Sequence, residues 1–153
     1  MLTNLLRAGY PALLVITHET DRAEKILPIN GWKFLAWDCI NGIRSLLSNT
    51  IVEDIRDPVS AITWLNGTVD TVLIAHNIHL FLDIPEVVQA IQNGVAKWKS
   101  LGSCLIMVAP SVNLRPELEK LFHIIALPLP TESELFVMQE DLARGASVLN
   151  QEG

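Results

Sequence analysis

The chain has 153 residues, of which half are hydrophobic, and a formal net charge of −6. Its length suits one domain with a real core, and its acidic balance argues against nonspecific nucleic-acid binding, which needs a basic surface. No apolar run approaches the roughly 18 residues of a membrane span, and the N-terminus lacks the basic start and cleavage site of a signal peptide. We therefore expect a cytoplasmic protein that contacts neither nucleic acid nor a membrane.

The first half of the chain predicts two strands, two helices and a short helical turn. Runs of Leu, Val and Ile between proline or polar residues favour strands, and polar starts followed by one apolar face favour helices. We predict a strand at 11–17, a helix at 21–27, a strand at 32–39, a helical turn at 41–47 and a helix at 57–67. The second strand alternates partly in polarity, which favours a position nearer an edge of the sheet.

The helix at 57–67 carries the clearest local signals. Asp57 is suited to cap its first turn, Pro58 fits the first helical position, and Gly67 can end it. These three residues predict both ends of the helix.

The second half continues the alternation of strands and helices. We predict a strand at 70–76, a helix at 83–102, a strand at 103–112, a helix at 115–122 and a strand at 123–130. After residue 130 the chain can begin a further helix and then becomes polar, so we divide it into a domain at 1–130 and a C-terminal helix or tail at 131–153. Thr131 and Glu134 have the spacing of a helix-capping pair.

Strands and helices thus alternate five times with short connections and apolar central strands. This pattern predicts an α/β fold with a doubly wound, mostly parallel, five-stranded sheet. Ligands of such sheets bind outside the carboxyl ends of the strands. The strand tips to inspect are "THET" (17–20), "HNIH" (76–79), "PSVN" (110–113) and "PLPT" (128–131).

Many nucleotide-binding sheets carry a glycine-rich loop, GxxxxGK[ST], after the first strand, and its backbone N–H groups hold phosphates. This chain contains no such motif, and "ITHETDRAEK" follows its first strand instead. Glu19 and Asp21 would repel a triphosphate, and Arg22 and Lys25 offset that repulsion only in part. The sequence therefore argues against tight Mg-ATP binding in the standard mode.

Three segments resemble the N-terminal half of a family of AAA+ ATPases from bacteria, archaea, cyanobacteria and chloroplast genomes. The segments are "LLRAGYPALLVITHETDRAEKIL", "TVLIAHNIHLFLDIPEVVQAI" and "CLIMVAPSVNLRPELEKLFHIIALPLPTESEL", and the likeness covers residues 2–135. Its best marks are the opening "LLRAGYP", the H-x-F-L of His79 to Leu82, and the proline-rich ending from Pro110 to Pro130.

The resemblance implies a RecA/AAA+-like core without a P-loop, a domain that in the family precedes a catalytically equipped AAA+ module. The family usually has Asp at the tip of the third strand, where this chain has Asn77. That departure removes the last expected magnesium ligand at this tip, and the family's catalytic module is not part of this sequence. We therefore do not carry the family's ATPase activity over to this polypeptide.

The strand tips supply candidates for a vestigial site, and we expect no catalytic residue, cofactor or metal there. His76 and His79 stand at i and i+3, which places them on opposite faces of a strand, and no Cys or acid lies at ligand spacing nearby. Asn77 favours a turn cap over positioning a water. The vestigial candidates are His18, Glu19, Asn77, His79 and Ser111.

Two other chemical interpretations are weaker than their structural alternatives. Ser111 follows "VAP" and lacks the G-x-S-x-G context of a hydrolase nucleophile. Glu19, Asp21 and Glu24 could act as general acids or bases, but acids near the start of a helix are favoured by its dipole alone.

The remaining apolar residues allow either core or interface positions. Trp32, Trp37, Trp64 and Trp98 fit both, and lysines on each side of Trp98 indicate partial exposure. Cys39 and Cys104 are expected to be buried free thiols.

The segments 4–11 and 134–149 are amphipathic and terminal, so we take them as candidates for packing against another subunit or domain.

Three hypotheses follow for function. The preferred one is a non-catalytic AAA+-like domain that acts as an assembly or adaptor module, by self-association or by docking on an AAA+ motor. The second is the N-terminal portion of a split or truncated AAA+ ATPase. The third is a small enzyme or ligand-binding protein that uses the carboxyl edge of the sheet.

Overall fold

The computed structural model describes residues 2–111 and 113–126. The helices of this part of the chain are α1 Leu2–Arg7, α2 Thr20–Ile26, α3 Pro58–Trp64, α4 Pro85–Leu101 and α5 Pro116–Glu119, with 3₁₀ turns at Leu65–Gly67 and Ile78–Phe81. The strands are β1 Ala12–Ile16, β2 Lys33–Asp38, β3 Gly42–Ser45, β4 Ile51–Glu53, β5 Thr71–His76, β6 Cys104–Ala109 and β7 His123–Ala126. The predicted tail at 131–153 and the tip "PLPT" lie outside the described residues.

One sheet contains all seven strands, in the order β4-β3-β2-β5-β6-β1-β7. The five predicted strands are its parallel part, which confirms the mostly parallel α/β sheet and is consistent with a RecA/AAA+-like core. β2 lies at one end of these five strands, but β3 pairs with its outer side, so β2 is not an edge of the whole sheet.

The sheet has two antiparallel strands, β3 and β4, that the sequence did not predict. The helical turn expected at 41–47 is therefore wrong. Asp38 accepts hydrogen bonds from the backbone of Ile40 and Asn41 and turns the chain back beside β2. Gly42 then adopts φ +89° and lies so close to β4 that an added Cβ would approach the carbonyl oxygen of Glu53 at 2.6 Å.

Helices cover both faces of the sheet, as the doubly wound prediction requires. Val72 and Ile74 of β5 pack in one cluster with Ala23 of α2, whereas Leu73 packs in a second cluster with Ile91 of α4. Because the side chains of a strand alternate between faces, burial on both sides explains the continuous apolar run of β5.

The largest side chains lie in this core. Trp37 and Trp98 are fully buried, so the expected partial exposure of Trp98 is wrong. Gly94 lies one turn earlier on α4 and leaves room for the indole of Trp98, whose Nε1 donates to Oδ1 of Asn66 at 2.7 Å. Buried indole N–H groups need such a partner.

Other local predictions have mixed outcomes. Asp57 caps α3 by accepting a hydrogen bond from the Ser60 backbone at 2.8 Å, with Pro58 in the first turn, as predicted. Cys104 is buried but Cys39 is exposed, because Cys39 follows β2 into the turn that leads to β3.

The N-terminal segment contributes to the domain's own core. Leu6 of α1 is buried in the cluster on the α2 face, and Leu2 and Leu5 pack against that cluster. Part of the apolar surface expected to face a partner is therefore used within the domain. In the residues that the structure covers, no helix combines the length and hydropathy that a membrane crossing requires.

Candidate functional site

The candidate site lies at the carboxyl edge of the parallel strands, on the face that α2 covers. His76 follows Val72 and Ile74 at every second position of β5, so it shares their face. α2 begins four residues after β1 ends, which brings its side chains over the tips of the neighbouring strands. This is the region where ligands of parallel α/β sheets bind.

The connection between β1 and α2 is short and tightly bonded. It consists of Thr17, His18 and Glu19, without a glycine. The amide of Thr17 donates to the carbonyl of Ala109 at 3.0 Å, and the amide of Glu19 donates to Oγ1 of Thr17 at 3.1 Å. The Glu19 carboxylate also pairs with Arg22 at 2.7 Å. The bond to Ala109 ties the start of the connection to β6, and the other two contacts fold the connection onto itself and onto α2.

Glu24 of α2 is the centre of a polar network that ties three elements together. Its Oε2 accepts hydrogen bonds from the Arg44 guanidinium of β3 at 2.7 Å and from Nε2 of His76 in β5 at 2.6 Å. Arg44 also donates to Oδ1 of Asn49 at 3.2 Å. All three side chains of the network are less than a quarter exposed, so these bonds are only partly screened by solvent.

The electrostatics of the network favour the charged form of Glu24. Burial raises the pKa of this carboxyl, but the hydrogen bonds from Arg44 and His76 together with their charges outweigh burial and leave the pKa below its ordinary value. The hydrogen bond to Glu24 raises the pKa of Arg44. Glu24 and Arg44 therefore form an ion pair at neutral pH.

Asp38, at the tip of β2, adds a second carboxylate to the site. Its Oδ1 accepts hydrogen bonds from the amides of Ile40 at 2.9 Å and Asn41 at 2.7 Å, and its Oδ2 accepts one from the Asn41 side chain. Burial raises the pKa of Asp38, but these bonds and the nearby His76 outweigh it and lower the pKa. Asp38 is therefore a poor proton acceptor for a reaction.

A polar pocket of about 260 Å³ opens beside this network. Asp21, Glu24 and Asp38 bring three carboxylates to its lining, against one guanidinium from Arg44 and the imidazole of His76. Across the described residues, no group of three or more His, Cys, Asp or Glu side chains has the arrangement of a metal site. The pocket is polar and acidic, and its carboxylates at 24 and 38 already accept several hydrogen bonds.

Of the vestigial candidates, Asn77 lines the pocket, and His18, Glu19, His79 and Ser111 do not. His18 and Ser111 are exposed, and Glu19 is engaged by Arg22.

Asn77 occupies the cap position of the 3₁₀ turn after β5, with left-handed backbone angles. Its side chain makes no cap hydrogen bond, but its carbonyl accepts one from the amide of Leu80 at 3.0 Å. The predicted turn role thus rests on its backbone, since Asn tolerates this conformation better than most residues.

His79 lies in the 3₁₀ turn that follows Asn77. Its Nδ1 is buried without a hydrogen-bond partner, and burial lowers its pKa. The imidazole is therefore neutral at pH 7. His76 lies in the Glu24 network instead, so the two histidines have different surroundings.

Sequence reasoning missed most of the network. Glu24 was explained by the helix dipole, Arg44 lay in a supposed helical turn, and Asp38 was not singled out. The only signal for Asp38 was the turn sequence "DCIN" (38–41). An Asp at the start of such a turn can accept hydrogen bonds from the backbone amides two and three residues later. Nothing local marks Arg44, because its partner lies 20 residues away in the chain.

The fold and the site define an α/β domain whose mostly parallel sheet has no glycine-rich phosphate loop after its first strand. The family follows from a direct match. Residues 1–127 match the family model for the N-terminal domain of SpoVK-like AAA ATPases, and the chain belongs to this family. The match confirms the resemblance seen in the sequence.

Two similar proteins carry the description "Uncharacterized AAA domain-containing protein ycf46". The one from Guillardia theta is 26% identical over 139 residues, which cover 86% of this chain and 27% of that protein. The one from Pyropia yezoensis is 23% identical over 154 residues, which cover 95% of this chain and 30% of that protein. The chain thus spans less than a third of the length of these relatives.

Among solved structures, a chain in "Structure of Drosophila ORC bound to DNA" is similar with a TM-score of 0.45 and 15% identity. The alignment covers 93% of this chain and 43% of that chain.

Proposed function

We propose that this domain is a non-catalytic module of an AAA+ ATPase and that it acts in assembly, by self-association or by docking on AAA+ subunits. The observation that carries the proposal is the connection between β1 and α2, at Thr17–Glu19. It stands where a P-loop enzyme holds its phosphates, it contains no glycine, and its amides at Thr17 and Glu19 already donate within the domain.

Phosphate binding at this position needs free backbone N–H groups that point at the ligand. The amide of Thr17 is bonded to Ala109, that of Glu19 to the Thr17 side chain, and that of Arg22 to the carbonyl of Glu19. No glycine allows a closer approach of the backbone. These donors would have to break existing bonds before they could hold a phosphate.

The charges around the connection also disfavour a nucleotide. Asp21 and Glu24 face the pocket, and Glu24 engages the two basic side chains, Arg44 and His76. A triphosphate would have to compete with a carboxylate for both of them. Because Asn77 replaces the acid expected at the β5 tip, the site also lacks the ligand that would hold magnesium opposite the phosphates.

The relatives support a modular role, because this domain matches less than a third of proteins that carry an AAA domain in their descriptions. We place hydrolysis, on this proposal, in a separate AAA+ module, either on the same polypeptide or on a partner. We retain a cytoplasmic location as part of the proposal. The absence of nucleic-acid binding is also part of it, and the net charge of −6 supports that absence.

Two measurements test the proposal. Calorimetric titration with ATP and ADP, each with magnesium and up to millimolar concentration, is expected to show no saturable binding. Sedimentation of the chain alone, and with a purified AAA+ module of a related protein, is expected to show association. Saturable micromolar ATP binding, or a monomer that binds no AAA+ module, would refute it.

A second candidate, ligand binding at the carboxyl edge, is supported by the polar pocket of about 260 Å³. Its three carboxylates favour a small cationic ligand over an anion. Titration with simple amines and divalent cations, followed by NMR at the His76 and Asn77 signals, tests it. Saturable shifts at these two residues would favour this candidate, whereas shifts spread over the surface would count against it.

A further inference from the structure

We infer that Asn30 is a site of spontaneous modification, at which the side-chain amide is converted to a carboxylate in aspartyl and isoaspartyl form. The inference goes beyond the proposed function and does not depend on it, because Asn30 lies outside the candidate site. It starts from the sequence, in which four of the eight glycines directly follow an asparagine. The four pairs are Asn30–Gly31, Asn41–Gly42, Asn66–Gly67 and Asn93–Gly94.

The reaction is an internal attack on the asparagine side chain. The backbone nitrogen of the following residue gives up its proton to solvent and bonds to the side-chain carbonyl carbon. The bond from that carbon to the side-chain nitrogen breaks, and this nitrogen gains a proton and leaves as ammonia. Water then opens the cyclic imide at either of its carbonyl carbons, which produces an aspartyl or an isoaspartyl residue. A following glycine favours the attack, since it has no Cβ to obstruct the approach.

The pair at Asn30 is open to this reaction. Both of its residues are exposed and lie in the turn between α2 and β2. Gly31 has φ +105°, and apart from its chain neighbours no described heavy atom lies within 4 Å of the position that a Cβ would take. Among the described residues, neither the Asn30 side chain nor the Gly31 amide has a hydrogen-bond partner. The two groups can therefore meet without breaking another contact.

The pairs at 66 and 93 are protected by hydrogen bonds and helical structure. Oδ1 of Asn66 accepts from Nε1 of the buried Trp98 at 2.7 Å, which holds the side chain in place. Asn93 and Gly94 lie inside α4, where the backbone amide of Gly94 belongs to the helical ladder. Oδ1 of Asn93 also accepts from the Gln89 side chain at 2.8 Å. Attack at either pair requires local unfolding first.

The pair at 41 is exposed only on its asparagine side. The Asn41 side chain donates to Oδ2 of Asp38 at 3.2 Å, and the Asn41 amide donates to Oδ1 at 2.7 Å. Gly42 is buried and begins β3, where it lies opposite Asp38 of β2 and packs against the carbonyl of Glu53. Its nitrogen is therefore held in the sheet and kept from the side chain of Asn41.

The test is peptide mapping by mass spectrometry after the folded full chain has been incubated at neutral pH, with circular dichroism to confirm that it stays folded. Asn30 is expected to convert about tenfold or more faster than the asparagines of the other three pairs, because each of those must first break a hydrogen bond or a helical turn. Asn30→Asp supplies the aspartyl product as a standard, so that the isoaspartyl product is recognised by its separate elution. Asn30→Gln is the matched control, because it keeps the amide one methylene further from the backbone and is expected to lose ammonia far more slowly.

Incubation in guanidinium chloride separates the effect of the structure from that of the sequence. In the unfolded chain the protecting contacts are gone, so the four asparagines are expected to convert at similar rates. Conversion at similar rates in the folded protein would overturn the inference, and so would slower conversion at Asn30 than at any other pair. A preference for Asn30 that persists unchanged in the denaturant would also overturn it, because the sequence around Asn30, and not the open turn, would then set the rate.

Discussion

Replacing Glu24 by Gln removes the charge at the centre of the polar network with little change in shape. Oε2 of Glu24 accepts from Arg44 at 2.7 Å and from His76 at 2.6 Å, and the Glu24 side chain is 21% exposed. A glutamine can still accept a hydrogen bond, but it offers no charge to the guanidinium. Arg44 keeps its 3.2 Å bond to Asn49 and has only a neutral, weaker acceptor at position 24.

The magnitude follows from the degree of burial. Hydrogen bonds to charged groups contribute about 1.5–3 kcal/mol when buried, whereas exposed ion pairs contribute about 0–1 kcal/mol. The network lies between these limits, so two weakened bonds of about 1 kcal/mol each give a loss of about 2 kcal/mol. For a chain of this size, that corresponds to a fall in Tm of about 4–8 °C.

Urea unfolding followed by tryptophan fluorescence measures the loss, because Trp37 and Trp98 are fully buried and report on the core. Asp54→Asn is the control, since Asp54 pairs with Arg56 at 3.0 Å but both side chains are more than 60% exposed. The slope of the transition should stay unchanged. If Glu24→Gln costs no more than the control, about 0.5 kcal/mol or less, the network does not stabilise the fold as we reason.

Three further predictions follow from other contacts. The folded-state pKa of Glu24 lies below its ordinary value of 4.5. The ionised carboxyl therefore stabilises the folded state fully above that pH, and this stabilisation is lost as the pH falls through the folded-state pKa. The difference in unfolding free energy between wild type and Glu24→Gln, measured by urea titration from pH 7 to 3, should shrink below pH 4.5. Gly94→Ala should destabilise the domain by about 1–3 kcal/mol, since the new Cβ overlaps the Trp98 indole, and a rise in Tm would show that the helical preference for Ala prevails. A thiol reagent should label Cys39 at once but Cys104 only on unfolding, because burial raises the pKa of the Cys104 thiol and excludes the reagent; equal labelling of both in the folded state would contradict the burial.

The sequence predicted the parallel strands because burial on both faces leaves a local mark. Residues 72–75 form an unbroken apolar run, and β6 is buried at every position from Cys104 to Ala109. The β3–β4 hairpin left no such mark. Its strands have four and three residues, and Gly42 made the first of them resemble a turn. β3 depends on its pairing with β2, and β4 depends on its pairing with β3. A single sequence does not display these pairings.

The candidate site was predicted only in outline. The strand tips are candidates because topology brings carboxyl ends to one edge, and Asn77 at one of these tips lines the pocket. Its part in a functional site stays a prediction. The bonds that organise the site join residues that are 20 and 52 positions apart in the chain. Such contacts depend on which strands are neighbours, and a single sequence does not give that order. His76 was therefore weighed as a metal ligand when its partner is a carboxylate.

The polar network at the carboxyl edge and the outer strand β4 are connected through Arg44. At the carboxyl edge of the sheet in a P-loop enzyme, a bound nucleotide balances the basic groups. In this chain Glu24 balances Arg44 and His76 at the same edge. Arg44 lies on β3 directly opposite Ile51 of β4. The Glu24 carboxylate therefore also fastens α2 to the β3–β4 hairpin.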